Sequence, residues 1–371
     1  MKSLKLRPLV FQLHRYIGLF VGLILAIVGL TGSLLVFTHE LDGIVIQQQF
    51  GQVIPQEQPL PLSAIAAKIE TAYRDRPDLK IAQFDLHPHA KTYRIRLIDK
   101  EDKHLEVFVN PYTGDILGDR SRDSAFFSRV VELHYSLFAG NIGTAIVGIV
   151  AFLVCLLSVT GAVLWPGWRK LTAGFKIKWN AHPKRLNFDI HKVAGIVAAV
   201  FLFMTAISGF CWNFYEQAAP AIYALTLSPK PAELKSSVAT QTPIGIDEIV
   251  KISDAVLPGA ITTFISVPTK PDEVYHIYKK QPQDAQYFAN SVEIDRYSGK
   301  VLRVNNSQTA TLGDRILNAF VPMHYGTFWG LPSRILYVFV GLTPTILIVT
   351  GFVMYRYRRP GFLISLHKVT Y

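Results

Sequence analysis

Half of the 371 residues are hydrophobic, the mean hydropathy is +0.26 and the formal net charge is +11. So apolar a chain is excluded from the ordinary soluble domains, and four long apolar runs account for the excess. The basic residues crowd beside those runs, as in Lys2, Lys5, Arg7 and Arg15, in Arg169, Lys170, Lys176, Lys178, Lys184 and Arg185, and in Arg356, Arg358, Arg359 and Lys368. That pattern reads as membrane orientation and sets nucleic acid aside as a partner.

The apolar runs predict transmembrane helices near 13–37, 142–165, 191–212 and 335–355, each close to the ~20 residues a bilayer requires. The first has no small-x-small cleavage site and is expected to stay as an anchor. The basic segments put both termini in the cytoplasm of a multi-pass protein of the bacterial inner membrane. The expected order is a first transmembrane helix (1–39), a periplasmic α+β domain (40–129), a second transmembrane helix (130–166) and a cytoplasmic loop (167–188). A third transmembrane helix (189–215), a second periplasmic α+β domain (216–320), a fourth transmembrane helix (321–357) and a cytoplasmic tail (358–371) follow.

The first external region opens with the amphipathic LSAIAAKIETAYRDR and goes on in alternating strands, IAQFDLHP, YRIRLIDK and LEVFVNPYTGDILG. The second repeats the plan with IGIDEIVKISDAV, ITTFISVP, VYHIYKK and NSVEIDRYSGKVLRV. Tyr112 and Gly114 in one turn match Tyr297 and Gly299 in the other, as hairpins that need glycine at positive φ. Cys155 and Cys211 both sit in apolar runs and offer no disulfide framework, thiol pair or zinc spacing.

Histidine spacing repeats as well. Gly32 follows His14, and Gly209 follows His191, by 18 residues in each case (32 − 14, 209 − 191). Gly161 follows His134, and Gly351 follows His324, by 27 (161 − 134, 351 − 324). The chain therefore reads as an internal tandem duplication, a four-span α-helical bundle with two small periplasmic α+β domains and a pseudo-twofold axis along the membrane normal. Gly18 and Gly22 after His14, and Gly195 and Ala199 after His191, predict a groove of small residues suited to a flat partner, although such a stripe alone usually means helix packing.

Duplication sorts the histidines into two pairs, His14 with His191 at the cytoplasmic side and His134 with His324 at the external side. Two imidazoles facing across an axis suit the axial positions of a planar haem iron, and bundles commonly hold cofactors between facing helices. A lone interfacial histidine has a bland explanation in snorkelling or capping; four at matched spacings point to ligands. Two haem b groups are expected, bound non-covalently because no CxxCH is present. Arg15 and Lys192 are expected to pair with haem propionates. Tyr135, Tyr325 and Trp329, beside Phe138 and Phe328, are expected to rim the mouth where the electron acceptor binds. Trp165, Trp168, Arg169 and Lys170 form an aromatic–basic belt that could also dock a partner. His39 has no counterpart in the second half and reads as an interface residue, with a spare outer ligand as the alternative, and His87-x-His89 is a weak metal signal. No dinucleotide fingerprint follows a strand, so a separate cytoplasmic reductase or a quinol is the expected electron donor.

The segments HRYIGL…LTGSLLVF, LHYSLFAG, MHYGTFWG and DIHKVAG…ISG, with the NPYTGDILG-type hairpins, resemble the PepSY-associated transmembrane family over nearly the whole chain. The resemblance implies an inner-membrane protein of the kind often associated with iron uptake. Among such proteins are di-haem reductases of ferric siderophores in the periplasm. It implies axial roles for His14, His134, His191 and His324. Some relatives carry a fused flavoreductase module, and none is seen up to Tyr371.

The expected function is thus a di-haem b inner-membrane reductase passing electrons to a periplasmic ferric siderophore or other ferric chelate. Its two ligand planes should lie on the order of 20 Å apart. The alternative is a non-enzymatic sensor, regulatory or assembly protein whose spans only anchor PepSY-like domains, which leaves the histidines unexplained. A transporter is disfavoured because no span carries an acidic coupling residue, and a kink accounts for Pro344.

Overall fold

The computed structural model describes residues 6–86, 91–237, 242–282, 284 and 290–357. His87, His89, His367 and the expected tail at 358–371 lie outside the described residues. The first half runs α1 (Leu6–Leu35), α2 (Thr38–Phe50), α3 (Leu62–Ala72), β1 (Lys80–Asp85), β2 (Tyr93–Ile98), β3 (His104–Val109), β4 (Ile116–Ser121), α4 (Phe126–Ser136) and α5 (Gly140–Leu164). After a short α6 (Leu171–Phe175), the same order recurs as α7 (Pro183–Asn213), α8 (Tyr215–Leu225), α9 (Ile246–Val256), β5 (Ile261–Ser266), β6 (Tyr275–Lys280), β7 (Asn290–Ile294), β8 (Val301–Asn305), α10 (Leu312–Tyr325) and α11 (Leu331–Arg356). Two units result, a helical one from 1–37, 130–221 and 319–371, and a sheet unit from 38–129 and 222–318.

In the helical unit, α1, α5, α7 and α11 are long and apolar enough to cross a membrane. α1 packs on α5 and α11, and α7 packs on the same two helices, so α1 and α7 are diagonal members of a four-helix ring. Arg7 Nη2 donates to the carbonyl of Leu164 at 3.3 Å, joining the start of α1 to the end of α5. At the other end Arg334 Nη2 donates to the carbonyl of Val36 at 2.7 Å and its guanidinium stands 4.4 Å from the Phe37 ring centre. Each arginine satisfies a C-terminal carbonyl of an antiparallel neighbour. Val21, Val150, Val154, Leu202 and Val340 fill the bundle interior.

The predicted small-residue stripe divides in role. A Cβ on Gly22 would fall 2.1 Å from the Ile348 side chain, and one on Gly29 would fall 2.4 Å from the Gly341 carbonyl. Gly22 is therefore a packing contact between α1 and α11, not part of an open groove, because glycine lets the two helices approach closely.

Spans three and four start earlier than their apolar runs suggest. α7 begins at Pro183, where His182 accepts from the Lys184 amide as its cap. The segments bearing His134 and His324 are not the ends of the long helices, as expected, but the separate helices α4 and α10. Leu137 and Phe138 at φ 53° and 60°, then Gly140 at 53°, end the first. Gly326 and Gly330 at φ 69° and 64° turn the chain at the second. A left-handed residue stops a right-handed helix, which is why the break falls there.

The sheet unit holds one antiparallel sheet of eight strands in the order β4-β3-β2-β1-β5-β6-β7-β8. Both expected α+β halves form, and they join edge to edge where Gln83, Phe84 and Asp85 face Ser266, Ile265 and Phe264. Register sets Val107, Ile95, Phe84, Ile265, Ile277 and Val292 in one cross-strand row. None is more than 1% exposed, and Ile65 and Ile69 of α3 and Ile249 of α9 belong to the same core. Each such side chain contributes about 1.5–3 kcal/mol by leaving water. The other face is mixed: Phe108 stacks on Phe50, and Glu106 accepts from Arg120, whose two Nη atoms reach Asp42 of α2 at 2.7 Å each. Gly114 and Gly299 adopt φ 71° and 69°, as their turns require.

Candidate functional site

The four spaced histidines meet in the helical unit as two pairs. The ring centres of His14 and His191 lie 6.3 Å apart, and those of His134 and His324 lie 6.1 Å apart. In both pairs the ring planes cross at 85°.

Every one of the four rings is held from a neighbouring helix by a hydroxyl. His14 Nδ1 lies 2.9 Å from Thr160 Oγ1, and His191 Nδ1 2.9 Å from Thr350 Oγ1. His134 Nδ1 lies 3.0 Å from Thr31 Oγ1, and His324 Nδ1 2.9 Å from Ser208 Oγ. Each hydroxyl has already given its proton to the carbonyl four residues back in its own helix: Ile27, Leu156, Met204 and Ile346, at 2.7–2.8 Å. Its oxygen can then only accept, so the histidine must carry its proton on Nδ1. The Nε2 lone pair is left available as a metal ligand, with ring orientation fixed by the second hydrogen bond.

The residue after each hydroxyl is a glycine, and the spacing is steric. A Cβ at Gly32, Gly161, Gly209 or Gly351 would lie 3.0, 3.2, 3.3 or 3.5 Å from the Cε1 of His134, His14, His324 or His191. The histidine edge thus lies against backbone in every case.

An imidazole centre lies about 1 Å from its Nε2 and a metal–imidazole bond is about 2 Å long, so one iron between two opposed rings separates their centres by about 6 Å. The centre separations of both pairs match that value. Two opposed imidazoles fill only the axial positions, and no cluster of three or more His, Cys, Asp or Glu stands among the described residues. This donor set fits a planar macrocycle that brings its own equatorial nitrogens. Thr31, which holds His134, lies 17 residues along α1 from His14 (31 − 14), so the two pairs are about 25 Å apart along the helix axis.

Other expected residues are distributed as follows. Arg15 follows His14; its Nε is buried with no hydrogen-bond partner among the described residues, and its guanidinium lies 4.5 Å from the Tyr16 ring centre. A buried donor beside the first pair fits a propionate. Lys192, expected in the same role, is already engaged: its Nζ donates to Asp189 Oδ1 at 2.6 Å and to the Lys176 carbonyl at 3.0 Å. It is only 8% exposed, and it ties the α6 loop to α7. Tyr135, Tyr325 and Trp329 are 46%, 49% and 74% exposed. His39 falls on α2, in the sheet unit, exposed. Trp165 is a buried core residue packed on Phe175 and Gly174, while Trp168 is exposed.

Five residues had no role in the sequence reading. Thr31, Thr160, Ser208 and Thr350 each stand directly before the glycine that closes the histidine spacing, so their signal was present. Trp212 lies with its ring 4.8 Å from His324 and 5.9 Å from Tyr325, and nothing in the chain pattern marked it.

The family model for the PepSY-associated TM region matches residues 11–358. The chain belongs to the PepSY-associated TM family. All four paired histidines and their four hydroxyl partners fall inside the matched stretch of this PepSY-associated membrane protein. No curated protein matches it. Among solved structures, a candidate lipoprotein of Clostridium difficile 630 is similar at 11% identity, covering 67% of this chain and 94% of that one with a TM-score of 0.28. Nothing further follows from so loose a superposition.

Proposed function

We propose that this PepSY-associated protein is a di-haem b reductase of the bacterial inner membrane, passing electrons from the cytoplasmic side to a ferric siderophore or other ferric chelate in the periplasm. The observation that carries the proposal is the two pairs of imidazoles, 6.3 and 6.1 Å apart at their centres, each ring held at Nδ1 by a hydroxyl. A b-type haem supplies reversible one-electron exchange at its iron. Each residue around it has a definable task. His14 and His191 would hold one haem at the donor end, and His134 and His324 the other at the acceptor end, with the positive-inside pattern setting which end is which. Thr31, Thr160, Ser208 and Thr350 keep the ring protons on Nδ1 in both oxidation states. Arg15 offers its buried Nε to a haem carboxylate. Val21, Val154 and Leu202 keep water out of the space between the pairs.

Tyr135, Tyr325, Trp329 and Trp212 would form the surface at which the chelate meets the acceptor end. Reduction favours release because ferrous iron is held less tightly than ferric by hard oxygen ligands. A separate cytoplasmic reductase or a quinol would act as donor.

The test is an anaerobic single-turnover mixing experiment with the whole chain in detergent. Protein reduced with dithionite, and freed of excess, is mixed with a ferric hydroxamate in the presence of a ferrous trap. Reoxidation matched electron for electron by trapped ferrous iron is expected. Reduced protein that is stable in the presence of ferric hydroxamate, citrate and catecholate chelates alike would contradict the proposal.

A further inference from the structure

Two cavities open on the α3/α9 side of the sheet unit, and their charges differ. The larger, about 730 Å³, is lined by Asp247 and Asp254 and by no lysine or arginine. Both carboxylates are used within the fold: Asp247 accepts from the Leu62 amide at 2.8 Å and from the Ser63 hydroxyl at the start of α3, and Asp254 accepts from Lys279. The smaller, about 540 Å³, is lined by Arg74, Arg76, Lys80 and Arg296 against a single carboxylate, Glu70. Only Arg76 is matched, by Asp78 at 3.0 Å. Arg74 and Lys80 have no carboxylate partner among the described residues.

Arg296 is set in place rather than waving in solvent. Its Nη1 donates to the carbonyls of Lys270 at 3.1 Å and Pro268 at 3.3 Å, and its buried Nε has no acceptor among the described residues. Leu79, Ile81, Val267 and the ring of Tyr73 are partly exposed in the lining and form its apolar floor, above the buried Ile69, Phe84, Leu97 and Tyr275. Cations gathered around an apolar floor repel one another unless something neutralises them, and a buried guanidinium N–H without an acceptor is costly.

We propose that this cavity binds a small carboxylate with a flat apolar body, an aromatic or alicyclic acid. A planar guanidinium presents its donors in the geometry of a carboxylate. The floor favours an apolar body, from which inorganic phosphate would gain nothing. A neutral apolar ligand would leave the excess positive charge unmet. The volume is that of a small-molecule site.

Calorimetric titration of the whole chain in nanodiscs with 2-naphthoate tests this, with empty nanodiscs subtracted. Saturable binding of one naphthoate per chain is expected, weakening on addition of salt. It should fall at least tenfold in Arg296→Gln and again in the Arg74→Gln, Lys80→Gln double variant. The neutral analogue 2-naphthamide should also bind at least tenfold more weakly. Lys251→Gln removes an exposed cation of α9 that lines neither cavity and should bind as wild type. Absence of saturable binding, equal affinity for acid and amide, or full affinity in the double variant would each overturn the proposal. Should Arg296→Gln unfold, Arg296→Lys and the double variant decide. No step reads haem, so the outcome is independent of the histidine pairs.

Discussion

Replacing Thr160 by valine keeps the shape of the side chain and removes the hydroxyl that His14 Nδ1 meets at 2.9 Å, leaving the ring the Leu157 carbonyl alone among the described residues. Complete loss of an acceptor for a buried N–H costs about 1–3 kcal/mol, which sets the upper bound here. Loss of the outer hydrogen bond of a metal-bound histidine lowers metal affinity about 10–100-fold, equivalent to about 1.4–2.7 kcal/mol. The second figure lies within that bound. The assay is transfer of haem from the purified chain to excess apomyoglobin, followed optically. If the chain holds two haems as proposed, Thr160→Val should release one of them about 10–100-fold faster than wild type, while the other stays. Thr160→Ser restores the hydroxyl and should behave as wild type. Equal release from the valine and serine variants would show that the hydroxyl does not support the ligand, and the tautomer argument would fall with it.

The glycines should differ in a set order. Gly32→Ala, with a Cβ 3.0 Å from His134, should disturb its haem more than Gly351→Ala, at 3.5 Å from His191, as read in haem per chain. With ring planes crossed at 85°, either pair would leave the two π-type orbitals of a proposed haem iron nearly equal in energy. Frozen oxidised protein should therefore give two low-spin electron paramagnetic resonance signals of large g anisotropy, and signals typical of parallel planes would contradict the geometry. In the sheet unit, burial alone would raise the Asp295 carboxyl, but the amides of Ser298, Ser237 and Tyr297 outweigh it and hold the group well below the usual carboxylate range. Its stabilisation is complete above the unfolded value of about 4 and is lost as pH falls through that value towards the folded one. The urea midpoint by far-ultraviolet circular dichroism should thus fall more steeply below about pH 4 in wild type than in Asp295→Asn, and equal slopes would refute it.

Much of this was legible along the chain because it is periodic. Apolar runs of bilayer length gave the four helices, and alternation gave the strands down to Gly114 and Gly299. Histidine spacing identified the pairs, since helix geometry converts equal intervals into equal depths. What stayed hidden depends on contacts between elements. The glycine 18 residues after His14 lies not against His14 but against His134, and the hydroxyl that holds His14 comes from α5. Sequence order cannot assign such a partner. Edge pairing of β1 with β5 uses backbone groups, which every strand carries, so no side chain announced that two α+β halves would share one sheet. Lys192 looked like a propionate partner because it follows His191, but Asp189 sits three residues earlier on the helix, at a spacing where the two charges meet. Gly22 looked like groove and proved to be packing, since a small residue serves both purposes equally well.

The most direct test of the paired ligands is the absorption spectrum of the detergent-purified chain, oxidised and dithionite-reduced, with haem quantified per chain. Two b-type haems per chain are expected, with the sharp reduced bands of six-coordinate iron. His14→Ala and His191→Ala should each remove the same haem, and His134→Ala and His324→Ala the other. Protein that is colourless even from haem-supplied cells, or four single variants that each keep both haems, would contradict the assignment.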